Sequence, residues 1–195
     1  MPTSDAKRAM PSAAVIGWYN AVPSVLWSVL AFGPLAGYCY WHVERPWLYG
    51  FGAASLLAYA WPAAWLRRLQ LSTGVAAYER LRVPGVSRVT QNGALVGSLL
   101  RRRYPQYRGL VGRGAVAKLL STTYQQERFH WAALIFFLLA SGHAGATCHL
   151  GWALGLTLLN VGYNLYPIWL QQYLRLRLSR LEYRGRAGPA AKADP

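Results

Sequence analysis

Two groups of polar residues stand inside apolar sequence. Glu127 and His130 form the first, in "QQERFHWAALIFFLLASG" (125–142), directly against a long hydrophobic run. Three residues apart, they share one face of any helix formed there. A carboxylate beside an imidazole can orient the ring, fix its tautomer and raise its basicity. That pairing suits a general base drawing a proton from a hydroxyl. A plainer reading fits the same spacing: an interfacial histidine, with Glu127 paired to Arg128 or Lys118 among lipid headgroups. The second group lies in "NVGYNLYPIWLQQYLRLRLSRL" (160–181). Asn160 and Asn164 are one turn apart, where unpaired amides are costly and tend to face a partner helix or a cavity. Gln171, Tyr173, Arg175 and Arg177 follow. Here too a structural role is available, because amides tie helices together and arginines anchor helix ends by snorkelling.

The elements that must hold these residues are legible from composition. The 195 residues are 54 % hydrophobic yet carry 21 Lys and Arg against six Asp and Glu. The hydrophobic residues are gathered into charge-free blocks, a pattern of membrane proteins rather than of basic soluble domains. One block is "VPSVLWSVLAFGPLAGYCYW" (22–41) and another is "WLYGFGAASLLAYAWPAAWL" (47–66). From Trp131 to Leu174 no charged residue occurs, a stretch of 44 residues that suffices for two crossings of about 20 residues each. Gly and polar residues at 141–151 mark the break between them. Lipid admits no open strands, so the expected class is an all-α integral membrane protein of about four transmembrane helices in two hairpins. The corresponding divisions are an N-terminal segment 1–21, a first hairpin 22–66, a basic segment 67–128, a second hairpin 129–174 and a basic tail 175–195. The N-terminus does not read as a signal peptide, because a long, Pro-interrupted apolar run is followed at once by a second.

With four crossings, both termini and residues 67–130 share one side, and 20 of the 21 cations lie there, Arg45 alone standing opposite. The positive-inside rule makes that side cytoplasmic in a multi-pass protein of the cell membrane. Within the basic segment, 74–83 reads as a short amphipathic helix ended by Pro84-Gly85. Residues 91–109 begin at an Asn-Gly turn and continue with Leu95, Leu99 and Leu100 at helical spacing before Arg101–Arg103. Residues 115–130 run as a helix into the third crossing. Such helices suit a membrane surface, apolar face down. The tail after Arg186 is small, polar and expected to be disordered. Cys39 and Cys148 fall near the non-cytoplasmic ends and read as two buried thiols, with a disulfide the alternative.

Antiparallel third and fourth crossings bring Glu127 and His130 to the depth of Gln171 to Arg175, with Asn164 about 10 Å deeper. A base at the surface, cations beside it and amides below would form a cleft open to cytosol and lipid, suited to joining a water-soluble donor to a lipid acceptor. No HxxxxD, HExxH, CxxC or GxxxxGK[ST] occurs. The histidines (His42, His130, His143, His149) divide between the two sides in this topology, so no metal site is expected. Nucleic acid is not needed to explain the +15 charge, which membrane topology and anionic headgroups accommodate.

"ERFHW" (127–131), followed by "NLYPIWLQQYLRLRL" (164–178), resembles the glycosyl-4,4'-diaponeurosporenoate acyltransferases, small bacterial membrane enzymes of carotenoid biosynthesis. Glu127, His130, Pro167, Gln171, Tyr173, Arg175 and Arg177 match that family's pattern, while Gln172 and Leu174 stand where it has Arg and Asn. The resemblance covers roughly residues 75–182. It implies transfer of a fatty acyl group to a hydroxyl of a glycosylated carotenoid or related lipid, with acyl-CoA or another acyl donor as co-substrate and no cofactor. For such a reaction the expected roles are His130 as general base, Glu127 as its orienter, Arg175 and Arg177 on an anionic group, either donor phosphates or an acceptor carboxylate, Asn160 and Asn164 lining the acceptor channel, and Gln171 and Tyr173 on the substrate. Two rivals stay open: a non-catalytic membrane scaffold, and another small lipid-modifying enzyme such as a methyltransferase.

Overall fold

The computed structural model describes residues 10–86, 94–107 and 113–187, and all of its regular elements are helical. The expected tail after Arg186 and the Asn-Gly turn at 92–93 lie outside the described residues, Ala187 apart. Helix α1 (Ala13–His42) starts at Ser12, whose hydroxyl accepts from the Val15 N–H, the usual device for an orphan N-terminal donor. Its Pro23 and Pro34 are tolerated inside an apolar helix. Only Ala31, Leu35 and Tyr38 of α1 are buried, while Trp18, Val22, Val25, Leu26 and Val29 face outward.

The second apolar block departs from expectation. Helix α2 (Arg45–Leu56) gives way to a 3₁₀ turn (Leu57–Ala60), and α3 (Ala63–Arg68) begins after Trp61-Pro62. Residues 47–66 are therefore not one helix. Pro62 forces Trp61 into extended backbone, with ψ 126°, and α2 alone spans only about 18 Å against the ~30 Å of a bilayer core. Among the described residues, two helices are long and apolar enough to cross a membrane: α1, and the portion Ala117–Ala146 of α7 (Arg113–Ala146).

The basic segment folds as α4 (Val75–Arg80), the single turn α5 (Val83–Val86) and α6 (Ala94–Arg103). Arg82, with φ 54°, supplies the reversal between α4 and α5, so the helix stops before Pro84 rather than at it. Tyr78 and Val83 of this strap are buried with Leu170 and Tyr173. Outside lipid, each such side chain contributes on the order of 1.5–3 kcal/mol, which pins the strap to the last helix.

Helix α7 turns back through Thr147–His149 into α8 (Leu150–Asn160), which continues through a π-turn (Val161–Leu165) into α9 (Tyr166–Ala187). Cys148 sits in this reversal at φ 61° and is exposed, Cys39 is partly buried, and both are free thiols. The expectation of two buried thiols thus fails for Cys148, because the turn that carries it lies at the surface. The π-turn has a local cause. Pro167 has no N–H for the Tyr163 carbonyl, and its ring crowds that oxygen, so the helix widens and Tyr166 N–H bonds to Val161 instead. The core between α1, α2, α7 and α8 is built on Leu35, Tyr38, Phe51, Phe137 and Leu156.

Candidate functional site

The polar residues of α7 and of the α8–α9 rod meet along their contact in two clusters, one turn apart on α7 and about two turns apart on the rod. In the deeper cluster, Asn160 Nδ2 donates to the Leu134 carbonyl at 3.1 Å, which ties α8 to α7. Asn160 Oδ1 then accepts from Asn164 Nδ2 at 2.8 Å. The remaining amide atom, Asn164 Oδ1, lies 3.5 Å from His130 Nδ1. The direction of the chain is set from its far end: a peptide carbonyl can only accept, so each amide is oriented in turn and presents an oxygen to the ring. His130 therefore faces Asn164 with an N–H, and the Nδ1–H tautomer leaves the Nε2 lone pair free. Both asparagines are buried and His130 is half-buried.

The second cluster centres on Glu127, which is fully buried. Its Oε2 contacts Arg175 Nη1 at 2.5 Å, and its Oε1 accepts from Gln172 Nε2 at 2.8 Å. The Tyr124 ring lies 4.2 Å from the guanidinium carbon, a cation–π contact. Glu127 thus faces Arg175 and Gln172, and His130 donates to Asn164 Oδ1 instead. The expected orientation of His130 by Glu127 is not the arrangement found, and neither is a pairing of Glu127 with Arg128 or Lys118. Arg128 Nε instead donates to the Trp61 carbonyl at 3.1 Å, capping the broken second block. A buried arginine attracts the carboxylate more strongly than an imidazole one turn away, since a charge-assisted pair in low dielectric outweighs a neutral contact.

Gln172 links this cluster to the basic strap. Its Oε1 accepts from Tyr78 Oη at 3.1 Å and from the Leu71 N–H at 3.2 Å, and its Nε2 lies 3.4 Å from the Leu69 carbonyl. Tyr78 is itself held at Ser72, and burial raises its phenol above the ordinary tyrosine range. The other expected site residues diverge. Arg177 is exposed and donates to Tyr173 Oη at 3.2 Å, and Tyr173 packs on Tyr78, on a different face from Arg175. Gln171 is half-buried one position before the residue that touches Glu127. From sequence, Gln172 is named only as a departure from the family pattern, and Tyr78 and Tyr124 are not singled out. For Gln172 a signal existed: Asn164, Ile168, Gln172 and Arg175 recur at three to four residues, the stripe that α9 presents to α7.

At the opposite end of the bundle, Tyr38 Oη meets His143 Nδ1 at 2.7 Å and the rings of His42 and His149 lie 4.4 Å apart. His130 is remote from these three. No group of three or more His, Cys, Asp or Glu suited to a metal ion occurs among the described residues.

The family model of glycosyl-4,4'-diaponeurosporenoate acyltransferase matches residues 62–184, more than half of the chain. The chain belongs to this family. Both clusters, the strap and the arginine-rich α9 fall inside the match, whereas α1 and α2 precede it. No curated protein and no solved structure is significantly similar to the chain. Membership in this family, together with two apolar helices of spanning length, makes the protein a membrane-associated member of an acyltransferase family linked to carotenoid biosynthesis.

Proposed function

We propose that the protein transfers a fatty acyl group from acyl-CoA, or a similar thioester, to a hydroxyl of a glycosylated carotenoid or related glycolipid at the cytoplasmic membrane face. The observation that carries this reading is the oriented Leu134–Asn160–Asn164–His130 chain, its histidine one turn from Glu127, the partner of buried Arg175, inside the family match. With Nδ1–H turned toward Asn164, Nε2 of His130 takes the proton of the acceptor hydroxyl as its oxygen attacks the thioester carbonyl. The C–O bond forms, the C–S bond breaks, and the proton passes to the departing thiolate. Asn164, backed by Asn160, holds the ring and its tautomer, the role first assigned to Glu127. Arg175 meets an anionic group of a substrate, and exposed Arg177 with Arg101–Arg103 attracts polyanionic donors from solution. The topology that supplies such a cleft is multi-pass, with both termini and the basic strap in the cytoplasm, as the cation distribution favours.

The test is acyl transfer from labelled long-chain acyl-CoA into a total lipid extract of the native host, with purified wild type beside His130→Ala. Label in one lipid class with wild type alone supports the reading, and the product mass identifies the acceptor. No transfer by folded wild type across several chain lengths refutes it.

A further inference from the structure

Arg175 is 96 % buried, with a relative exposure of 4 %, yet besides the Tyr124 ring on its face the guanidinium has one charged partner, Glu127 at Nη1. Its Nε and Nη2 meet no acceptor among the described residues, and Nη1, close as it is to Glu127 Oε2, makes no aligned hydrogen bond to it. This is not how arginine and glutamate ordinarily pair: the planar fork and the carboxylate favour two parallel bonds, and the bidentate form is the stronger. A buried guanidinium with uncommitted N–H groups is costly unless another acceptor reaches it. The reason the fork does not form is visible. Glu127 Oε1 is already held by Gln172 Nε2, and Gln172 is itself fixed on the Tyr78 hydroxyl and the Leu71 N–H.

We infer that Gln172 is a positioning residue that restrains Glu127 to one oxygen on Arg175, keeping Nε and Nη2 free for a single anionic group of a substrate, phosphate or carboxylate, with Tyr78 of the strap as its brace. The inference rests on the acyltransferase reading and adds to it the residue that makes Arg175 a receptor rather than half of a closed ion pair. Removing the Gln172 amide lets Glu127 rotate and fork onto the guanidinium, occupying the donors the substrate anion needs. Gln172 touches no substrate in this account.

The experiment measures KM and kcat for wild type, Gln172→Leu and Tyr78→Phe with two donors: long-chain acyl-CoA, and the N-acetylcysteamine thioester of the same acid, which lacks phosphates. A second arm compares native acceptor extract with extract whose acidic groups have been methylated, which separates an acceptor anion from a donor one. Wild type is expected to favour the anionic substrate in one arm. Gln172→Leu is expected to raise KM for that substrate roughly ten- to a hundredfold, the range of one charge-assisted hydrogen bond, with kcat and the neutral substrate little changed. Tyr78→Phe, which keeps the ring that packs on Tyr173, should show the same selective change at smaller size. Equal effects on anionic and neutral substrates, or none, overturn the inference while leaving the acyltransferase reading intact. A wild type that transfers acyl groups without preferring an anion in either arm overturns it too. A wild type with no transfer at all removes both.

Discussion

The Glu127–Arg175 pair allows a quantitative test of how the second cluster is held. Glu127 is fully buried and Arg175 nearly so, so solvent screening does little to weaken their attraction. Glu127→Leu would strand a buried guanidinium, which costs about 3–5 kcal/mol. It would also take the acceptor from Gln172 Nε2, at roughly 1–3 kcal/mol for an unmet buried donor, although the Leu69 carbonyl at 3.4 Å offsets part of that. Arg175→Met should cost less, because Glu127 keeps its hydrogen bond from Gln172 Nε2. The double variant removes both charges and fills the space with apolar atoms, a replacement that is often close to neutral. The cycle should therefore be strongly non-additive, the double variant recovering on the order of 3 kcal/mol relative to the sum of the singles. Unfolding in mixed micelles, followed by tryptophan fluorescence and circular dichroism, reads all four proteins. Acyl transfer should stay low in the double variant even where stability returns, since Arg175 is gone. Additivity within about 0.5 kcal/mol would mean the pair is not coupled in the folded protein and would refute the buried ion pair as its anchor.

Three further outcomes follow from other parts of the fold. Asn164→Leu should lower kcat at least as strongly as it lowers stability, by removing the acceptor that orients His130, whereas Asn160→Leu should act mainly through the lost bond to Leu134, about 1–3 kcal/mol; a wild-type kcat in Asn164→Leu would remove the amide chain from the mechanism. Cys148 is exposed and Cys39 partly buried, so a membrane-impermeant maleimide should label Cys148 first, and from the outer face of intact cells if both termini are cytoplasmic; labelling only after the cells are opened would reverse the topology. Burial raises Tyr78 above the ordinary phenol value of about 10. Its stabilisation is therefore complete below about pH 10 and is lost as pH rises from there through the folded value, because the unfolded chain releases the proton first; Tyr78→Phe should flatten the stability profile above pH 10, and an unchanged slope would contradict that.

What the sequence conveyed and what it withheld divide along physical lines. Hydrophobic segregation made the helical class and the α7–α8 reversal legible, because period and charge-free length are properties of the chain itself. The same length rule misled at 47–66. An apolar run of the right size outweighed the Trp61-Pro62 signal, although proline chemistry, not hydrophobicity, decides whether a run stays one helix. Pro167 acts in the same local way on the rod it enters, opening the π-turn.

The site shows a second kind of limit. Glu127 and His130 do share a helix face, as their spacing required, but a shared face leaves each side chain free to choose a partner across the interface. That choice belongs to the facing helix: Arg175 and Gln172 capture the carboxylate, and Asn164 meets the imidazole. The spacing i, i+3 thus located two separate clusters and suggested one. Gln172 carries the consequence furthest. Read along the sequence it is a departure at one position of a family pattern, whereas in three dimensions its amide joins the strap, through Tyr78 and Leu71, to the carboxylate of Glu127. In the role proposed for Arg175, a neutral amide there would hold the carboxylate without competing for the substrate anion. The residue that departs from the pattern is therefore the one on which the state of the guanidinium depends.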